Sequence, residues 1–183
     1  EYWYVRLAAV EALGKIGSQE AIPCLQEALK DKEILVRKAA VEALRKIGSQ
    51  EAILSLQEAL KHEDWNVREA AAKALGKIGS KEAIPYLQEA LKDKVKYVRK
   101  AAIEALGEIG SKEAIPYLIE ALEEALITEG DLNICDFIMT SFSKIDASSK
   151  IYMKYPDPFN SFTVSIISIC GEEKVITSFE RAF

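Results

Sequence analysis

The chain has one histidine, His62, in 183 residues, which leaves no Ser–His or Cys–His triad to assemble. Its three cysteines, Cys24, Cys135 and Cys170, share no metal-ligand spacing and are odd in number, as expected of free thiols in a reducing compartment. No glycine-rich phosphate loop appears among the nine glycines. No apolar run approaches the ~20 residues that span a bilayer, and no secretory or transit segment opens the chain. A strong charge of one sign is missing as well. The net charge is −5, with both signs interspersed, whereas nucleic acid calls for a basic stripe. These absences point to a cytoplasmic address, to neither nucleic acid nor membrane as partner, and to no cofactor, metal or catalytic residue.

What the chain does have is periodicity. Val5-Arg6 returns as Val36-Arg37, Val67-Arg68 and Val98-Arg99, and Gly17-Ser18 as Gly48-Ser49, Gly79-Ser80 and Gly110-Ser111, each at a step of 31 residues. Four copies align without a gap over 1–124, and 16 of the 31 columns are identical in all four. Each copy reads as two helices. The first, as in VRKAAVEALRKIGS, is rich in Ala and Leu and stops at a glycine suited to the left-handed C-terminal position. The serine after it is placed as an N-cap, with a glutamate two residues later in the acidic-favoured first turn. The second helix, as in EAIPYLQEALKD, carries Pro23, Pro85 or Pro116 early, where a missing N–H costs little. The second copy has Leu54 there, so proline is favoured rather than required.

On a helical wheel the invariant Val5, Ala8, Ala9, Ala12, Leu13 and Ile16 share one face, where small alanines let helices approach closely. Trp3, Tyr4, Leu7, Glu11 and Gly14 share another, and their columns vary between copies. The invariant face is expected to be core and the variable one an outward stripe.

A helix pair of this size cannot bury its own apolar face, so neighbours must stack into a solenoid. The motif VRxAAxxALGxIGSxEAIPxLxEALKD resembles HEAT-like repeats, in particular the 31-residue subclass found in phycobilin lyases. The resemblance covers 1–124. It implies an all-α fold, a right-handed superhelix of helix pairs with the VR helices lining its concave, partner-binding side. It leaves function open, because such arrays serve many unrelated proteins.

Beyond the four units, 125–183 is expected to hold diverged repeats forming a C-terminal cap. All six Phe and both Met lie there, and its net charge is −3. Ile134, Phe137, Ile138, Phe142 and Ile145 repeat the spacing of Val98, Ala101, Ala102, Leu106 and Ile109, predicting a fifth VR-type helix over 131–146. KIYMKYP (150–156) reads as an inserted loop. Asp157-Pro158 reads as the start of a helix through SFTVSIISI, and VITSFERAF (175–183) matches VRKAAVEAL in polarity. The rival for this end is a hairpin, SFTVSIIS–ICGEE–KVITSF, since Val, Ile, Thr and Phe favour strands. KYPDPFNSFT also looks like the YPNPFN start of small β-sandwich sorting domains in some secreted bacterial proteins, although only twenty-odd residues come after it.

Among chemistry-bearing residues, His62 lies in a turn. Deoxyhypusine hydroxylase, itself a HEAT-like enzyme, draws metal ligands from several His-Glu pairs; this chain has one, so His62 reads as an exposed turn residue. Arg6, Arg37, Arg68 and Arg99 could be an anion ladder, but their invariance beside the core predicts bridges to turn acids such as Asp31 and Asp93.

The columns that vary carry the functional signal. One reads Trp3, Ile34, Trp65, Lys96; the next Tyr4, Leu35, Asn66, Tyr97; a third Leu7, Lys38, Glu69, Lys100. Large aromatics on a stripe that the core does not need are typical of recognition hot spots. The reading is a non-enzymatic scaffold that binds a protein or peptide along its concave groove, an array that could form part of a larger multidomain protein. A bilin lyase-like enzyme subunit is the alternative, with Trp65 and Tyr97 as groove walls and Lys96 and Lys100 for propionates. The chain starts on a VR helix, so more 31-residue copies are expected before Glu1 in a longer transcript. A start codon immediately before Glu1 would contradict this. An uncapped first helix also invites end-to-end self-association.

Overall fold

Glycine at the end of each VR helix takes the left-handed conformation, with φ between +60° and +75° at Gly17, Gly48, Gly79 and Gly110. The chain turns there, and the next serine caps the second helix of the pair. Ser18, Ser80 and Ser111 accept from the N–H of Glu20, Glu82 and Glu113, and Ser49 from that of Ala52.

The computed structural model describes residues 2–124, 132–145, 151–154, 162–167 and 173–179. In chain order the helices are α1 (Trp3–Ile16), α2 (Ile22–Ala28), α3 (Ile34–Ile47), α4 (Gln50–Ala59), α5 (Trp65–Ile78), α6 (Ile84–Ala90), α7 (Lys96–Ile109), α8 (Ile115–Glu124) and α9 (Leu132–Ile145). Strands β1 (Ile151–Lys154), β2 (Phe162–Ile167) and β3 (Glu173–Phe179) come after them.

Proline decides how each second helix starts. Where Pro23, Pro85 and Pro116 remove an N–H, a 3-10 turn comes first, closed by Ala21 N–H to Ser18 O, Ala83 to Ser80 and Ala114 to Ser111. Leu54 leaves the ladder whole, so α4 runs unbroken from Gln50, with Ile53 N–H on Ser49 O.

The chain divides into two units, residues 1–109 and 110–183. In the first, α1, α3, α5 and α7 pack side by side, with α2, α4 and α6 behind them. The core is built from the invariant columns: Val36, Ala40 and Leu44, their equivalents in α5 and α7, and Ile22, Leu25, Leu56 and Leu87. Neighbouring VR helices touch through glycine. A Cβ added to Gly14 would lie 2.8 Å from Ala43 Cβ, and one added to Gly76 would lie 2.6 Å from Ala105 Cα. This corrects the wheel: Gly14 belongs to helix packing, not to an outward stripe. In α3 the column holds Arg45, turned along its own helix to Glu42 at 2.7 and 2.8 Å.

In the second unit α8 packs on α9, burying Leu118, Leu122, Ile138 and Phe142. α9 is a helix within 131–146, where the sequence places a fifth VR-type helix. The expectations beyond it are overturned. The strands form a three-stranded antiparallel sheet in the order β1-β2-β3, with Tyr152 opposite Ser165 and Ser165 opposite Val175. The expected loop KIYMKYP holds a strand instead, and the expected helices over SFTVSIISI and VITSFERAF hold β2 and β3; the hairpin reading is the one observed. Dense β-branched residues, stiff at χ1 in a helix, fit the pleated surface better. The YPDPFN motif lies outside the described residues.

Candidate recognition stripe

α5 is started by Asp64, whose carboxylate accepts the Asn66 N–H at 2.9 Å and the Asn66 side-chain amide at 3.0 Å. This start leaves Trp65 on the outer rim of the first turn, 36% exposed. One unit later Tyr97 opens α7, 51% exposed. The rings stack across the two helices, with centroids 5.5 Å apart and planes at 27°. Lys96 Nζ stands 5.6 Å from the Tyr97 ring centroid, within cation–π range.

A second aromatic group opens α1. Trp3 meets Tyr4 edge-on at 6.2 Å, and Tyr2 lies 5.3 Å from Tyr4. The stripe read from the sequence omits Tyr2. Its column holds Tyr2, Glu33, Asp64 and Val95, a capping column in which an aromatic gives no periodic signal. Of the other stripe residues, Leu35 and Lys38 are exposed, and Leu7, Ile34, Asn66, Glu69 and Lys100 are half-buried. Glu69 pairs with Lys73 at 2.6 Å and Lys100 faces Glu104 at 4.0 Å, so both are partly engaged along their own helices.

The arginines behind the stripe serve the fold. Arg6 holds Asp31 through Nε and Nη2 at 2.6 and 2.8 Å, and Arg68 holds Asp93 at 2.6 and 3.0 Å. Each later arginine also donates to a carbonyl of the preceding turn: Arg37 to Asp31 O, Arg68 to His62 O and Arg99 to Asp93 O. The bidentate fork suits such two-unit bridging. The Arg6 hydrogen bond drives the Asp31 pKa down to about 2 against the opposing effect of burial. Burial pushes Asp64 up, but its bonds from Asn66 and Arg37 outweigh this and bring it to about 2.

His62 occupies the column of Asp31 and Asp93, and its Nδ1 replaces their carboxylate by accepting the Asp64 N–H at 2.9 Å. It is half-buried rather than exposed. The ion pair moves with the substitution: Arg37 binds Asp64, two residues further on, through Nη2. Arg37 Nε, whose counterparts in Arg6 and Arg68 reach the column aspartate, has no acceptor among the described residues. Among those residues no three His, Cys, Asp or Glu side chains are grouped to hold a metal ion. Cys24 is exposed and unbridged. No helix of the described residues is long and apolar enough to cross a membrane.

Comparison with known proteins agrees with this architecture. The family model for HEAT repeats matches residues 1–62 and 53–126. The complex of CpcE and CpcF of phycocyanin lyase from Nostoc sp. PCC7120 superposes with a TM-score of 0.61 at 26% identity, covering 79% of this chain and 60% of that one. Human deoxyhypusine hydroxylase, in complex with glycerol, gives 0.60 at 26% identity over 69% of this chain and 44% of that one. An engineered protein gives 0.52 at 28% identity over 79% and 76%. The chain thus spans less than two thirds of the two natural proteins. None of the curated protein sequences matches it.

Proposed function

The chain belongs to the HEAT-repeat family, and on that premise we propose that it is a non-enzymatic scaffold that binds a protein or peptide along the groove lined by its VR helices. The single observation that supports this most is the Trp65–Tyr97 stack. Two large rings from neighbouring units lie together and remain exposed, although the core of neither unit needs them. Aromatic anchors of this kind supply contact area at little entropic cost and dominate binding energy where they occur. Trp3, Tyr4, Leu7, Ile34 and Leu35 extend the apolar surface. Lys38, Asn66, Glu69, Lys96 and Lys100 would orient the partner more than hold it. In this reading the partner is neither nucleic acid nor membrane, and the setting is cytoplasmic.

The test is a paired capture from native lysate. The bait is the chain, beside a variant with Trp3, Trp65 and Tyr97 changed to Ala and matched in helicity and melting. A partner kept by the first and lost by the second supports the stripe. Identical captures mean the aromatics are surface packing.

A second reading rests on the likeness to the phycocyanin lyase complex. The stacked pair with Lys96 and Lys100 has the chemistry of a bilin site, aromatic walls beside cations for propionates. A colour shift on mixing the chain with a free bilin, absent in Trp65→Ala, would favour that enzyme-like role.

A further inference from the structure

The charges beside the aromatic stripe do not cancel. On the solvent side of the VR helices three carboxylates are already engaged: Glu42 by Arg45 at 2.7 Å, Glu69 by Lys73 at 2.6 Å and Glu104 by Lys100 at 4.0 Å. Glu11 of α1 and Glu108 of α7 are exposed. Lys15 follows Glu11 by one turn and balances it. Glu108 lies at the far end of α7 from the stack, about 18 Å along the axis from Lys96.

The cations left over sit on the central helices and beside the stack. Lys38 and Lys46 of α3, Lys77 of α5 and Lys96 of α7 are exposed, and none forms an ion pair among the described residues. Glu42 records their crowding. Its carboxyl is held below the usual range first by the Arg45 hydrogen bond and then, against burial, by the charges of Arg45, Lys46 and Lys77. One carboxylate thus faces cations from two helices. The turns before the helices add Lys32, Glu33, Glu63 and Lys94, which balance. The surplus is local, because the chain as a whole carries −5.

α3, α5 and α7 pack in that order, so Lys38 stands on one side of Trp65, and Lys96 with Tyr97 on the other. At a usual helix spacing of about 8–10 Å, α3 and α7 lie about 16–20 Å apart, which about five or six residues of extended peptide span. A nucleic acid strand fits less well. Its phosphates repeat without interruption, whereas Glu42 and Glu69 stand among the lysines.

We propose that the partner of the aromatic stripe is an acidic peptide segment. An aromatic or large aliphatic side chain lodges on the Trp65–Tyr97 stack, and Asp or Glu on either side of it meet Lys38 and Lys96. This rests on the reading of the stripe as the binding site. The apolar anchor supplies the affinity, and the lysines steer the segment and select its charge.

The probe is a random-sequence peptide library displayed on phage, panned on the chain and counter-selected on Trp65→Ala. Recovered peptides are synthesised with a fluorophore and titrated by anisotropy. They should carry an aromatic or large aliphatic residue between carboxylates about five or six residues apart. Lys38→Glu combined with Lys96→Glu should weaken them roughly tenfold or more, and salt at about 1 M should act in the same direction. Both lysines are exposed, so the melting temperature should hold, and Lys38→Gln with Lys96→Gln is the milder pair if it does not. Recovered peptides that need Trp65 but are neutral or basic keep the stripe and overturn the acidic partner. Recovery of no peptide that needs Trp65 overturns both readings. An RNA or DNA oligonucleotide that binds as tightly as the acidic peptides and displaces them also overturns the proposal.

Discussion

Trp65 and Tyr97 stack at 5.5 Å although they come from successive columns of the repeat and from different units. The pair is a product of stacking α5 on α7, not of either helix alone. Stacked rings are worth ~0.5–1.5 kcal/mol beyond area burial, and partial exposure places this pair near the lower end. A double-mutant cycle of Trp65→Ala and Tyr97→Ala by urea unfolding should give a coupling of about 0.5 kcal/mol. Neither single change should cost more than about 1 kcal/mol, as befits residues outside the core. A loss of several kcal/mol would make the pair structural.

Gly76 offers a prediction in which the sign decides. Intrinsic helix propensity favours Gly→Ala by ~1 kcal/mol. Here the new Cβ would fall 2.6 Å from Ala105 Cα, a backbone atom that cannot yield without parting α5 from α7. Gly76→Ala should therefore destabilise by about 1–3 kcal/mol, the usual range for overpacking. Chemical denaturation measures it.

Acid should loosen the array through its turn aspartates. Asp31 and Asp64 have pKa values of about 2 in the fold, and Asp93 is also lowered, burial there being outweighed by Arg68. A depressed carboxylate stabilises the fold above its unfolded pKa of ~3.9, and this is lost as pH falls through the folded value. Melting temperature should hold down to about pH 4 and fall between about pH 4 and 2. Asp31→Asn should lower stability at neutral pH by about 1.5–3 kcal/mol, the amount typical of hydrogen bonds to charged groups. The same change should flatten the acid limb.

Leu54 is exposed where three other copies hold proline. Leu54→Pro should convert the start of α4 to the 3-10 turn of its siblings. Proline in a helix interior costs about 3 kcal/mol. Here the change should lie between neutral and a gain of about 1 kcal/mol, because proline restricts the unfolded chain at a position whose backbone accommodates it. Thermal melts of the two forms distinguish these outcomes.

The helices are legible in the sequence because the 31-residue step repeats four times, so Val36, Ala40 and Leu44 mark a core face before any contact is known, whereas their equivalents Val5 and Ala9 in α1 are exposed. The arginine bridges are legible for the same reason, since Arg6 and Asp31 recur together. Gly14 reads as outward because a glycine leaves no mark on a wheel; only the approach of Ala43 shows why it is there. His62 reads as a bare turn residue because composition does not reveal a ring nitrogen standing in for a carboxylate, and the transfer of Arg37 to Asp64 depends on that replacement. At the C-terminal end, Asp157-Pro158 reads as a helix start and VITSFERAF matches the polarity of the repeats, yet Phe162–Ile167 and Glu173–Phe179 form strands, as their β-branched residues favour. Of the stripe, the contact between Trp65 and Tyr97 is not visible in the sequence, because rings in neighbouring columns meet only once the helices are stacked.

If the exposed aromatics bind and the invariant columns fold, the two roles should separate in a single variant. The Kd of a captured partner for the chain and for Trp65→Ala, with the melting temperature of each, measures this directly. Binding should weaken at least ~tenfold, more than about 1.4 kcal/mol, with the melting temperature lowered by no more than about 4 °C. Equal affinities, or a loss of affinity that tracks a loss of stability, would show that the aromatics do not bind in their own right.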